Sequence, residues 1–215
     1  MKRDTRWKVA LLGLVLLQLL PGGCGTGKNS RFYTLNPVAA TGPAPPVQSS
    51  RSSGPLASIG ILPVEIPDYL DRPQIVTRNP TNGLELGEFD RWGGELQKDI
   101  ARVLAETMSA RLPGNGVFVL TGRRAVPADF WITVHVTRFD PIPGDVVRLK
   151  AVWTVLKKDG LQVVVRGESN LSEPILGRDY GATVAAMSLA VDHLGNEIAD
   201  AVKPRLIALS ASGSG

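Results

Sequence analysis

Few side chains in this chain could do chemistry. Cysteine occurs once, at Cys24, and histidine twice, at His135 and His193. A lone thiol can act as a nucleophile, bind a metal or accept an acyl group, but it cannot close an internal disulfide. Neither histidine has a cysteine, aspartate or glutamate at a metal-ligand spacing, and a structural or surface role suits both. There is no G-x-S-x-G elbow and no H-E-x-x-H pair. Asp68, Asp71 and Asp90 could converge as an acid pair or a cation site. In a turn-rich segment, aspartate more often bonds nearby backbone amides. Gly22 to Lys28 reads G-x-x-x-x-G-K, like a phosphate-binding loop. That loop needs Ser or Thr next, and here Asn29 follows. No catalytic residue, metal or cofactor is therefore expected.

The formal net charge is +4, from 24 basic and 20 acidic residues. Lys2, Arg3, Arg6 and Lys8 stand against Asp4 in the first 23 residues. Without that segment the chain is close to neutral, about +1. A nucleic-acid surface needs a basic stripe on the folded body. Only short pairs occur, such as Arg123–Arg124 and Lys157–Lys158, so no nucleic-acid partner is expected.

The position of Cys24 explains it. A basic start leads into an apolar run from Val9 to Leu20, broken only by Gly13 and Gln18. The run is about 12 residues long, where a bilayer-spanning helix needs roughly 20. It has the form of a secretory signal. Gly22 and Gly23 then precede Cys24, which resembles the cleavage and acylation site of a bacterial lipoprotein. One departure is that Pro21 stands three residues before the cysteine, with the leucine one place further back at Leu20. Residues 1–23 are thus read as a lipoprotein signal peptide, Cys24 as the lipidated residue and 24–30 as a tether. Several acyl chains on one residue would hold a protein on a membrane stably. Gly25, where an aspartate commonly signals inner-membrane retention, favours the outer membrane with the body facing the periplasm.

Residues 31–209 are expected to form one domain, with a loose tail at 210–215. Arg31–Leu35 reads as a first strand. The proline- and serine-rich stretch 36–55 cannot bury a core and reads as an extended loop. Ser58–Ile66 is a second strand, interrupted at Pro63. Gln74–Arg78 and Leu84–Phe89 flank Asn82-Gly83, a strong hairpin signal. Glu95–Leu112 carries an apolar stripe at helical spacing, and Pro113-Gly114 ends it. Gly116–Leu120 is a short strand. Phe130–Phe139 alternates, with Phe130, Ile132, Val134 and Val136 on one face. Val146–Leu156 and Leu161–Glu168 form a hairpin through Asp159-Gly160. Asp179–Leu209 reads as a long helix with Val184, Met187, Val191, Leu194, Ile198 and Val202 in its stripe. The expected class is α+β: a mainly antiparallel sheet of about seven strands, with two amphipathic helices on one face.

One segment asks for more than packing. Pro63–Arg78 gathers Tyr69, Leu70, Arg72, Pro73 and Gln74 in a proline-stiffened loop. Tyr and Arg are enriched at protein interfaces, so Tyr69, Leu70, Arg72 and Gln74 are candidate partner contacts. The alternative is a loop that packs on its own sheet. Trp92 poses the same choice and is read as a core anchor.

Several pieces together resemble one family. They are Phe32-Tyr33-Thr34-Leu35 soon after the lipid cysteine, the proline-rich gap, the stretch from Pro63 to Arg78, and Arg91-Trp92 before the helix with Leu104-Ala105-Glu106. These resemble the PqiC-like auxiliary lipoproteins of ABC-type transport systems over nearly all the mature chain. Pro67–Arg78 is the specific part. The resemblance implies a docking role with MCE-domain proteins and their inner-membrane transport partners, which are thought to move phospholipid or other lipophilic molecules between membranes. It implies no catalytic residues, and a homo-oligomer is compatible with it. The competing readings are a lipoprotein that itself carries a lipophilic ligand, an envelope hydrolase, and an assembly factor for an outer-membrane protein.

Overall fold

Where apolar and polar residues alternate the chain is extended, and where apolar residues recur every three or four it is helical. The computed structural model describes residues 29–37, 57–112, 116–119 and 127–212. The expected signal segment 1–23, Cys24, most of the expected tether and most of the expected loop 36–55 lie outside the described residues. In chain order the elements are β1 (Arg31–Tyr33), β2 (Ser58–Ile61), a 3-10 turn (Asp68–Leu70), β3 (Gln74–Arg78), β4 (Leu84–Trp92), α1 (Leu96–Arg111), β5 (Gly116–Val119), β6 (Phe130–Ile142), β7 (Val146–Lys157), β8 (Val163–Pro174) and α2 (Tyr180–Ser212).

The α+β class holds, but the single, mainly antiparallel sheet is corrected to two mixed sheets. One has the order β1-β4-β3 and the other β5-β2-β6-β7-β8. β1 runs parallel to β4, with Arg31 opposite Asp90, and β2 runs parallel to both β5 and β6. The β3–β4, β6–β7 and β7–β8 pairs are antiparallel. The antiparallel pairs are the ones whose turns can be read locally, at Asn82-Gly83 and Asp159-Gly160. Asn82 takes a positive φ of 67°, and the Asn79 side chain accepts hydrogen bonds from Thr81 and Gly83 to close that turn. A parallel pair joins segments far apart in sequence and leaves no turn signal.

The expected strand Ser58–Ile66 is broken around Pro63, and β2 ends at Ile61. The chain still follows β6 beyond the break, with Glu65 N–H donating to Val134 and Val136 N–H donating to Glu65. A bulge between Val136 and Arg138 then shifts the alternation of β6. As a result Phe139, Asp140 and Pro141 are buried in succession.

α2 packs on β7 and β8 and against α1, α1 reaches β5, and β3 packs on β6. The α2 stripe of Val184, Met187, Val191, Leu194, Ile198 and Val202 is buried, as are Leu96, Ile100, Val103, Leu104 and Met108 of α1. Burying each such large side chain stabilises the fold by roughly 1.5–3 kcal/mol. Gly195 lets the two helices approach closely: a Cβ there would lie 3.0 Å from Thr107 Cγ2. α2 continues through Pro204 to Ser212, so the first residues of the expected tail belong to the helix. Among the described residues, no helix is long and apolar enough to cross a membrane.

Candidate partner-binding surface

Pro67 has an extended backbone and begins the 3-10 turn, in which Leu70 N–H donates to Pro67 and Asp71 N–H to Asp68. The turn drives Leu70 inward, to 2% exposure, into the main core. Leu70 is therefore a packing residue, and its side chain is out of reach of a partner. Tyr69 is half-buried and points to a second anchor. Its Oη donates to Asp140 Oδ1 at 2.7 Å, while Arg78 Nε and Arg138 Nε both donate to Asp140 Oδ2 at 2.7 Å. The Arg78 guanidinium also lies 6.0 Å from the centre of the Tyr69 ring.

Asp140 is 2% exposed. Burial pushes its carboxyl up, but the hydrogen bonds from Arg78, Tyr69 and Arg138 outweigh burial and hold it below the ordinary carboxylate range. Burial, and then the bond to Asp140, push the Tyr69 hydroxyl up to about 12. Three donors on one buried carboxylate thus tie the loop to β3 and β6. A charge so deeply buried is tolerated only when its lone pairs are filled in this way.

Arg72 is exposed and Gln74 is intermediate. Trp92 N–H donates to the Pro73 carbonyl, which fixes this part of the loop to the end of β4. Asp71, Arg72 and Pro73 then form a shallow cleft of about 230 Å³ with Gly94, Glu95 and Leu96 at the start of α1. Of the four candidate contacts, the structure brings Arg72 and Gln74 to the surface, Tyr69 partly, and Leu70 not at all. Trp92 is 4% exposed and is a core anchor, as read.

The other candidates take structural roles. Asp68 and Asp71 stay exposed in the turn. Asp90 is buried and accepts from Arg31 Nη2 at 3.0 Å and from Tyr33 Oη at 2.9 Å, which joins β1 to β4. His135 Nδ1 lies 2.9 Å from Glu65 Oε2, and His193 Nδ1 lies 2.7 Å from Glu173 Oε1. Among the described residues, no three His, Cys, Asp or Glu side chains could hold a metal ion together.

Sequence reading passed over Asp140 and Arg138, the residues that fix the loop. Their signal was an acidic residue set inside the apolar run Phe139-Asp140-Pro141-Ile142. Such a residue needs a buried partner or a break in the alternation, and it has both.

A family model described as "ABC-type transport auxiliary lipoprotein component" matches residues 33–199. No curated protein matches the chain. The crystal structure of an uncharacterized protein superposes with a TM-score of 0.64 at 16% identity, covering 81% of this chain and 99% of the other. Protein XCC0632 from Xanthomonas campestris gives a TM-score of 0.61 at 15% identity, covering 79% of this chain and 93% of its own. At these identities the likeness is one of fold.

Proposed function

The chain belongs to the family of ABC-type transport auxiliary lipoprotein components, and from that membership we propose that it is the docking subunit of an MCE-type transport system. In this reading acylated Cys24 holds the body at the outer membrane, facing the periplasm. The MCE-domain protein, with its inner-membrane partners, carries phospholipid or another lipophilic molecule across the gap. This subunit receives the far end of that assembly, alone or as a homo-oligomer, and catalyses no reaction.

The observation that carries the reading is how the loop from Pro67 to Arg78 is held. Leu70 and Tyr69 are spent on fixing it, and Arg72 is left exposed beside the start of α1. A pre-ordered loop loses little conformational entropy when a partner binds, which favours affinity without a large interface. Arginine suits such a position because its planar guanidinium can bond a carboxylate in two places.

Photocrosslinking from position 74, beside Arg72, in intact cells tests this. Recovery of an MCE-domain protein supports docking, and recovery of a second copy supports a homo-oligomeric contact at the same place. Recovery of a β-barrel protein would favour the assembly-factor reading. Turnover of lipid, peptidoglycan or ester substrates by the soluble body would remove the non-catalytic reading.

A further inference from the structure

β8 is an outer strand of the larger sheet, with β7 on one side and, among the described residues, no strand on the other. Ile175 N–H donates to the Asp145 carbonyl, and the same register runs from Glu173 opposite Val147 to Val165 opposite Val155. Hydrogen-bonded pairs recur at every second residue of an antiparallel ladder. Val165, Gly167, Ser169, Leu171 and Glu173 therefore turn their backbone groups toward β7. Arg166, Glu168, Asn170 and Ser172 turn theirs to the open edge, and all of them are exposed. Open edges are often blunted by proline or lysine, and neither occurs from Val165 to Glu173.

The order of charges on this edge makes it complementary to itself. Two copies of the strand can meet antiparallel about a two-fold axis, the commonest symmetry of paired identical subunits. Their outward backbone groups match only where Arg166, Glu168, Asn170 and Ser172 face members of the same set. An axis through Arg166 sets arginine against arginine, and one through Glu168 sets glutamate against glutamate. An axis through Ser169 leaves Arg166 facing Ser172. An axis through Gly167 sets Arg166 of each copy directly across from Glu168 of the other, on both sides of the axis. Opposite charges so placed stabilise a strand pair. Arg166 donates to the Thr154 hydroxyl at 3.3 Å and, among the described residues, is in no ion pair. Glu168 lies 2.8 Å from Lys150, and both remain about half exposed. We infer that β8 pairs antiparallel with β8 of a second copy about Gly167, with Arg166 and Glu168 setting the register.

Gly167 suits the axis. Residues that face each other without sharing hydrogen bonds come closest in an antiparallel ladder, and here neither brings a side chain. The Trp153 ring already stands where a Cβ of Gly167 would be. α2 packs on β7 and β8, and facing residues of this register share a face, so the joined sheet carries the α2 helices of both copies on one side. The ladder is short, because the bulge beside Val164 interrupts it. Copies held on one membrane meet at high effective concentration, and to that extent the inference rests on the anchoring reading above.

The test uses the full chain in intact cells, as two co-expressed copies. One carries a photocrosslinking residue at position 170 and the other an affinity tag, and the membrane fraction is scored for the adduct between them. The expected result is an adduct between wild-type copies. It should fall several-fold when both copies carry R166E or both carry E168R, since like charges then face each other on both sides of the axis. It should return to near the wild-type level when an R166E copy meets an E168R copy, which restores opposite charges across the axis. A defect within one chain, such as loss of the Lys150–Glu168 pair, would not be rescued by mixing. A membrane-bound wild type without the adduct overturns the pairing and leaves the anchor standing. So does an adduct with a different protein in place of the second copy, an adduct unchanged by either variant, or a mixed pair that is not restored. A wild type recovered wholly in the soluble fraction overturns the anchor and the pairing with it.

Discussion

Tyr69 Oη donates to Asp140 Oδ1 at 2.7 Å, joining a surface loop to the buried end of a core strand across 71 residues of sequence. Arg78 and Arg138 complete the set, and the signs of their effects can be worked out. Asp140 titrates below the ordinary carboxylate range in the folded chain. Its contribution is thus complete above the unfolded value of about 3.9 and is lost as pH falls through the lower folded value. D140N should cost about 2–3 kcal/mol in denaturant unfolding at neutral pH, less than a fully buried pair because the Arg138 side chain is 39% exposed. Below pH 4 the gap between wild type and variant should narrow. A gap that stays constant down to pH 2 would contradict the ion-pair account.

Tyr69 has the opposite sign. Raised to about 12 in the fold, it favours the folded state below its unfolded value near 10, and that support fades as pH rises from there to about 12. Y69F should lower stability by about 1–2 kcal/mol at neutral pH and should show a shallower alkaline loss than wild type in the same titration.

Within one loop, packing and partner contact should separate. L70A removes a core side chain and should cost about 2–5 kcal/mol. R72A removes an exposed one and should stay within about 0.5 kcal/mol of wild type, yet weaken crosslinking from position 74 to the proposed MCE-domain partner. Loss of crosslinking in a folded R72A protein, with circular dichroism unchanged, is the outcome to look for.

Trp153 gives a prediction remote from any surface. Its ring lies over Gly167 on the neighbouring strand, where a Cβ would come within 2.1 Å of Cζ2. Its Nε1 donates to Ser169, whose hydroxyl donates to Glu197 of α2. G167A must displace the ring and break that chain of bonds. It should destabilise the protein by about 1–3 kcal/mol and alter the near-ultraviolet circular dichroism.

Much of the fold is legible locally. Both helices, the hairpin at Asn82-Gly83 and the buried faces of β6 and β7 follow from spacing alone. The parallel pairings are not legible, because Arg31 meets Asp90 and Ile59 meets both Val117 and Phe130 with no intervening turn to announce them. The candidate loop was found by composition, but composition cannot say which of Tyr69, Leu70 and Arg72 faces outward. That depends on a one-turn 3-10 helix and on a bulge in β6 that aims Asp140 at Tyr69. Neither leaves a periodic trace.

The account depends most on Cys24, and the intact mass of the protein extracted in detergent from cell membranes tests it directly. The expected result is a chain that begins at Cys24 and carries the added mass of acyl chains on that residue. A chain with an unmodified Cys24 thiol, or one that begins elsewhere, would contradict it.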